Sequence, residues 1–210
     1  AAEAVLAVKS VLVDLNDASA TLPNSYNSVE NITPLETPLS STINGAALAT
    51  PVFLSLYVEN DLRLDKYFAE TDEKGFRKNK KAGSNNYLCT FRVGEIYLTA
   101  AEAAARLGEL SQARTRLLEL MRKRYAPEAY EAKSVVVNAM DKEALVQEIL
   151  DERARELAFE GHRWFDLRRS TRPRLEKVLD GTRYVLEEND ARYTLAIPKE
   201  AIEANPGLLN

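Results

Sequence analysis

Four glutamates spaced by four, Glu148, Glu152, Glu156 and Glu160, place one line of carboxylates down a single helix face. Like charges at that spacing repel by a few tenths of a kcal/mol per pair, so the chain must fold in a way that brings cations to them. The surrounding run, Asp151 to Arg169, supplies candidates: Asp151–Arg155 at i, i+4, and Glu152–Arg155, Arg153–Glu156 and Glu160–Arg163 at i, i+3. Two chemistries fit. One is a glycosidase pair, with one carboxylic acid of raised pKa beside an ionised carboxylate. The other is an ion-pair network built on the arginine fork, which matches carboxylate geometry. The second is favoured, because arginines around a carboxylate lower its pKa whereas a general acid needs it raised.

The chain has 210 residues, enough for one domain or a little more, and 45% of them are hydrophobic against 29% charged, a globular composition. The net charge of −4 argues against a general nucleic-acid binder. One histidine and one cysteine are too few for a His/Cys zinc site and exclude an intrachain disulfide. A Cys–His pair could only be Cys89 with His162; a buried inert thiol and a partnered structural histidine are the expectations for these two. No apolar run approaches 18 residues, and no signal-peptide pattern opens the chain, which starts on Ala1 in an apolar helical run as though entered partway. Phosphate loop, dinucleotide fingerprint, His-Glu-x-x-His and Gly-x-Ser-x-Gly are all missing, so neither catalysis nor a metal or cofactor is expected.

Along the chain, Val5, Val8, Leu12 and Leu15 predict a helix over 2–15. Prolines 23, 34, 38 and 51 among Ser, Thr and Asn predict an irregular loop over 18–51. Residues 51–58 read as a short strand or a helical turn, 62–68 as a short helix capped by Asn60-Asp61, and 74–86 as a turn or hairpin tip whose Lys78, Lys80 and Lys81 face solvent. Residues 87–91 read as a strand. From Arg92 helix dominates: 93–107 closed by Gly108, then a second helix from an N-cap at Ser111 to about 125, a hairpin resembling one tetratricopeptide unit. Residues 127–139 read as a connector. Asp141 caps a long helix through 160, Gly161 interrupts it, and short helices follow at 163–169 and 173–179. A turn at 180–181, a strand at 193–197 and a last helical turn at 199–203 complete the reading. The lone Trp164 is expected in an apolar cluster with Phe159, Phe165 and Leu167 rather than as a sugar platform.

Four pieces of the chain, in order, resemble the C-terminal part of the SusD/RagB family. These are Arg92-Val-Gly-Glu-Ile-Tyr-Leu to Gly108; Ser111 to the Arg-x-Arg of Arg122 and Arg124; Glu152-Arg-x-x-Glu-Leu-x-Phe-Glu-Gly-x-Arg-Trp-x-Asp-Leu-x-Arg169; and Leu195-Ala-Ile-Pro198 with Ile202 and Asn205-Pro206 to Asn210. Asn60-Asp-Leu-Arg63 fits a family element upstream. The likeness covers 61–210 well, and 1–60 loosely, as an N-terminal helix plus long loop of the same domain. It implies a mainly α fold of tetratricopeptide-like helical hairpins with long irregular loops and minor β. It also implies a Bacteroidetes outer-membrane lipoprotein at the cell surface, which binds glycans or other nutrients without catalysis and delivers them to a SusC-like TonB-dependent transporter. Members are longer than this chain, with a lipid-bearing cysteine and several helix pairs. Glu152, Arg153, Glu156, Arg163, Trp164 and Asp166 are scaffold by that resemblance. The family's ligand residues vary between members and are not carried over, so the ligand candidates here are aromatics near loops: Tyr26, Tyr57 and Tyr87. Two alternatives stand beside this reading, a helical-repeat module whose partner is a protein and a glycoside hydrolase using the helix carboxylates.

Overall fold

The structure, a computed structural model, describes residues 1–37, 48–81, 87–179, 181–205 and 207, and the side chains of these except at 34–37, 87–90 and 179. They divide into two compact units, Ala1–His162 and Arg163–Asn210, and the division falls inside the signature run. The fold is mainly helical, with minor strands, as the sequence implies.

In the first unit the helices are α1 (Ala2–Leu6), α2 (Pro51–Leu54), α3 (Arg63–Tyr67), α4 (Val93–Leu107), α5 (Leu110–Met121), α6 (Pro127–Ala139) and α7 (Lys142–Glu156). The strands are β1 (Asn31–Thr37), β2 (Leu48–Ala49), β3 (Phe68–Thr71), β4 (Arg77–Asn79) and β5 (Tyr87–Arg92). β1 pairs antiparallel with β5, and β2, β4 and β3 form a second antiparallel sheet in that order.

α4 is the central helix. Val93, Ile96, Tyr97, Leu98, Ala100, Ala101, Ala104 and Ala105 are all buried, so it is covered on most of its circumference by α1, α5 and α7. Its alanines permit that close approach. Gly108, at φ +87°, turns the chain into the left-handed region, and the Glu109 N–H reaches back to the Ala104 carbonyl, the Schellman bond that ends a helix. Leu117, Leu120 and Met121 of α5 and Leu145 and Ile149 of α7 complete this core. A second cluster joins Val13, Leu15, Tyr57, Tyr67, Phe68 and Ala158. Within it the ring centroids of Phe53, Phe68 and Phe159 lie 6.1–6.4 Å apart, edge to face.

Several expectations are corrected. The first helix stops at Leu6 instead of Leu15: residues 9–15 run across the bundle, held by the Tyr97 hydroxyl on the Ser10 carbonyl (3.1 Å) and by Leu15 N–H on the Lys123 carbonyl (2.9 Å). Tertiary hydrogen bonds there outweigh a helical stripe. The loop over 18–51 contains β1 and β2; residues 38–47 lie outside the described ones. Residues 51–58 open on a helical turn, with Thr50 capping the Phe53 N–H (3.2 Å). The 127–139 connector is helix α6, started by Pro127 at N1 and anchored by the fully buried Val137. α5 has Glu109, not Ser111, at its N-cap, and the Asp141-capped helix ends at Glu156, not Glu160. Lys81, expected on a solvated face, is 4% exposed.

The second unit holds α8 (Arg163–Arg169), a hairpin of β6 (Leu175–Leu179) and β7 (Thr182–Leu186), a 3₁₀ turn at Ala191–Tyr193 and α9 (Lys199–Ala204). Residues 175–179 are a strand and not the expected helix, because they pair with 182–186 across a turn in which Gly181 has φ +75°. Residues 193–197 form no strand; Asp190 caps the 3₁₀ turn through the Arg192 N–H (2.8 Å) instead. Trp164 is half-buried and stacks on Tyr193, centroids 5.2 Å apart at 12°, and Phe165 is exposed. The expected cluster of Phe159, Trp164, Phe165 and Leu167 is therefore not formed: Phe159 packs in the first unit and Phe165 faces out.

Candidate functional site

The carboxylate line on α7 and the turn after it is buried, and arginines from distant elements meet it. Glu156 is the hub. Arg92 Nη1 (2.6 Å) and Arg124 Nη2 (3.0 Å) donate to its Oε1; Arg124 Nε (2.9 Å) and Arg63 Nη1 (3.1 Å) donate to its Oε2. Glu152 accepts from Arg63 Nη1 at 2.7 Å, Arg155 Nε at 2.8 Å and the Tyr125 hydroxyl at 3.0 Å. Glu160 accepts from Arg92 Nε at 2.9 Å and from Lys81 Nζ. Glu30, in the segment before β1, accepts from Arg124 Nη2 (2.5 Å), Arg92 Nη1 (3.1 Å) and the backbone N–H of Val13 (2.9 Å) and Gly94 (3.3 Å). It thereby also satisfies orphan donors at the start of α4. Asp61 holds Arg63 through two bonds of 2.9 and 2.8 Å.

Five cations (Arg63, Lys81, Arg92, Arg124, Arg155) thus face five carboxylates (Glu30, Asp61, Glu152, Glu156, Glu160), a balanced set with side chains 3% exposed or less. Burial pushes the Glu152 carboxyl up, but the Arg63 and Arg155 guanidiniums beside it more than offset that and hold it at about 2. Burial likewise opposes ionisation of Glu156 and Glu160. Arg124, Arg92 and Arg63 override it at Glu156, which falls well below the usual carboxylate range, and Arg92 and Lys81 lower Glu160. Lys81 is pushed down to about 8 by burial, against the pull of Glu160. A buried carboxylate held ionised by arginine has no proton to donate as a general acid. The arrangement is a clamp joining the N-terminal segment, α3, α4, the end of α5 and α7.

The remaining signature residues take other places. Arg153 is buried on α7 and reaches the Thr99 hydroxyl at 3.4 Å, and Asp166 accepts from Arg169 Nη2 at 2.7 Å. Trp164 lies in its stack with Tyr193, and Arg163 is exposed at the start of α8. His162 Nδ1 lies 3.7 Å from Glu95 Oε1. Sequence reasoning paired the glutamates with arginines of their own helix. Of those pairs Arg155–Glu152 forms, at 2.8 Å, but Asp151 accepts from Gln147 and Glu160 from Arg92 and Lys81. Arg63, Arg92 and Arg124 stood inside the motifs without being assigned a partner; Glu30 and Lys81 carried no local signal at all.

Of the three tyrosine candidates, Tyr26 is half exposed. Tyr57 is buried, its hydroxyl donating to the Arg155 carbonyl at 2.8 Å and its ring packed on Phe53 and Phe68; it belongs to the core and offers no face to a ligand. The side chains of Tyr87 and Cys89 lie outside the described ones. An open cleft of about 450 Å³ lies where α4, α5 and α6 meet residues 10–12, lined in part by the half-buried Tyr130 and the buried Tyr97. Among the described residues no group of three or more His, Cys, Asp and Glu could hold a metal, and no helix is long and apolar enough to cross a membrane.

Comparison with known protein families matches residues 53–210 to the SusD family. The chain belongs to the SusD family. The match spans the Asn60–Arg63 element and the hairpin, signature and C-terminal pieces that resemble the family, and leaves Glu30 and the segment around it outside. A SusD-like carbohydrate binding protein from Bacteroides vulgatus ATCC 8482 superposes with a TM-score of 0.63 at 16% identity, over 98% of this chain and 53% of its own. A SusD superfamily protein from Bacteroides fragilis gives 0.69 at 22%, over 94% of this chain and 48% of its own. This SusD-family chain therefore spans about half the length of the solved structures it matches. No curated protein matches it by sequence.

Proposed function

We propose that this SusD-family chain works in nutrient capture: it binds glycan without catalysis, at the outer-membrane surface in a lipid-anchored parent, and passes it to a SusC-like TonB-dependent transporter. The observation that carries the reading is the family match over 53–210 combined with the state of its most specific motif. Glu152, Glu156 and Glu160 of that motif are buried, bound to arginine and held below the usual carboxylate range, which disfavours a general acid there and favours recognition as the chemistry. Recognition of a sugar needs aromatic faces and a few placed polar groups. Tyr26, half exposed in the segment before β1, is the loop residue that offers such a face.

Isothermal titration of the full chain against a panel of oligosaccharides, with product analysis of the same mixtures, tests this. Binding with no product supports it, and a Tyr26→Ala variant then reports whether the loop contributes. Co-purification with a β-barrel and no glycan binding favours a protein-interaction module instead. Hydrolysis that disappears in Glu156→Gln would establish a glycosidase and overturn the proposal.

A further inference from the structure

We propose that the cleft between α4, α5 and α6 binds a saccharide unit bearing a carboxylate, such as a uronic acid, with Arg122 as the residue that selects the charge. The inference rests on the nutrient-capture reading and adds a site and a ligand class to it.

The cleft has about 450 Å³, within the roughly 300–1,000 Å³ of small-molecule sites. Its walls mix apolar and polar groups. Leu12, Leu118 and the half-buried Tyr130 line it together with Ser10 and with Thr115, whose hydroxyl donates to the Ser111 carbonyl, while Tyr97 is buried in its floor. That combination suits a pyranose, which has apolar C–H faces and a polar rim of hydroxyls.

The charges decide which pyranose. Lys123 at the cleft is neutralised by Asp14 at 2.8 Å, and Glu119 by Arg116 at 2.8 Å. Arg122 differs. It is exposed, and among the described residues its side chain has no carboxylate partner and donates no hydrogen bond. Its guanidinium carbon sits 5.2 Å from the centroid of the Tyr130 ring. That cation–π contact restrains the guanidinium, while its N–H donors make no hydrogen bond among the described residues. A planar fork fixed on an aromatic ring beside a sugar-sized cleft matches a sugar carboxylate, which accepts two parallel N–H bonds.

The test uses the full chain, with trigalacturonate as the acidic probe and maltotriose and galactotriose as neutral ones, followed by titration calorimetry. The expected result is that trigalacturonate binds more tightly than either neutral sugar and weakens as salt rises. Arg122→Gln should lower its affinity at least tenfold at an unchanged melting temperature, and Tyr130→Ala, which also loses core packing, should lower affinity per folded molecule by a similar factor. Arg122→Lys should rescue only part of the loss, since an ammonium cannot form the fork. Glycan binding that neither Arg122→Gln nor Tyr130→Ala alters would overturn the cleft assignment and leave the nutrient-capture reading standing. Binding of no saccharide, acidic or neutral, in this assay and in the wider panel would count against both.

Discussion

Gly94 is where the buried charges come closest to the backbone of α4. A Cβ there would lie 2.5 Å from Arg92 Nη1, 3.0 Å from Glu30 Oε2 and 3.1 Å from Glu156 Oε1. The position needs glycine for space, not for a special backbone angle. Alanine in a helix is ordinarily better than glycine by about 1 kcal/mol. Here the methyl would push apart a carboxylate–guanidinium cluster with no solvent to retreat into. Gly94→Ala should therefore lower stability, by about 1–3 kcal/mol in urea unfolding. Trp164 poses a milder case. It is half-buried and stacked on Tyr193, so Trp164→Ala should cost about 1–3 kcal/mol, less than the roughly 3–5 typical of a fully buried aromatic. Glycan affinity per folded molecule should be unchanged in that variant; selective loss of binding at a native melting temperature would move Trp164 from scaffold to site.

Elements with strong local signals were legible in the sequence, and elements specified by partners were not. The α4–α5 hairpin announces itself through its alanines and the Gly108 stop, and Asp141 caps α7 through the Ala144 N–H (2.9 Å) as its position predicts. β5 was legible as well, but its partner β1 was hidden in a proline-containing segment, where Pro34 sits tolerably because a two-stranded ribbon leaves one edge unpaired. α6 lacked a clean amphipathic stripe: Val135 and Val136 are exposed while Val137 is fully buried. Its identity as a packed helix makes a definite claim. Val137→Ala should cost about 2 kcal/mol, from two lost methyls and a small cavity, whereas Val135→Ala should fall within about 0.5 kcal/mol of wild type. Equal effects from the two would mean that α6 does not pack as described. The charge clamp was half legible. The glutamate spacing shows the acidic line, but Arg63, Arg92, Arg124 and Glu30 lie up to 94 positions away from the residues they serve, and only folding brings them together.

At the scale of the molecule the clamp makes stability depend on pH in two windows with opposite slopes. Glu152 drops from 4.5 to about 2 on folding, and Glu156 and Glu160 are also lowered. Their contribution is present above the unfolded value and lost as pH falls through the folded one. Glu152 alone accounts for about 3 kcal/mol of that loss between pH 5 and 2, at about 1.4 kcal/mol per pH unit. Lys81 works the other way. Its pKa falls from 10.5 to about 8, so the unfolded chain holds a proton that the folded chain releases. Stability from this group therefore rises between pH 8 and 9.5, before tyrosine ionisation in the unfolded chain opposes it. Denaturant midpoints across pH 3–9.5 would show a steep acid limb and a shallow alkaline gain, the latter absent in Lys81→Met. The central claim, that the carboxylate line is a structural clamp and not a catalytic pair, is tested most directly by carbon-detected NMR titration of the glutamate carboxyls in the full chain. The account predicts that Glu152, Glu156 and Glu160 each titrate below the ordinary glutamate value. A glutamate of this line titrating near neutral pH, together with oligosaccharide turnover that its mutation abolishes, would contradict it.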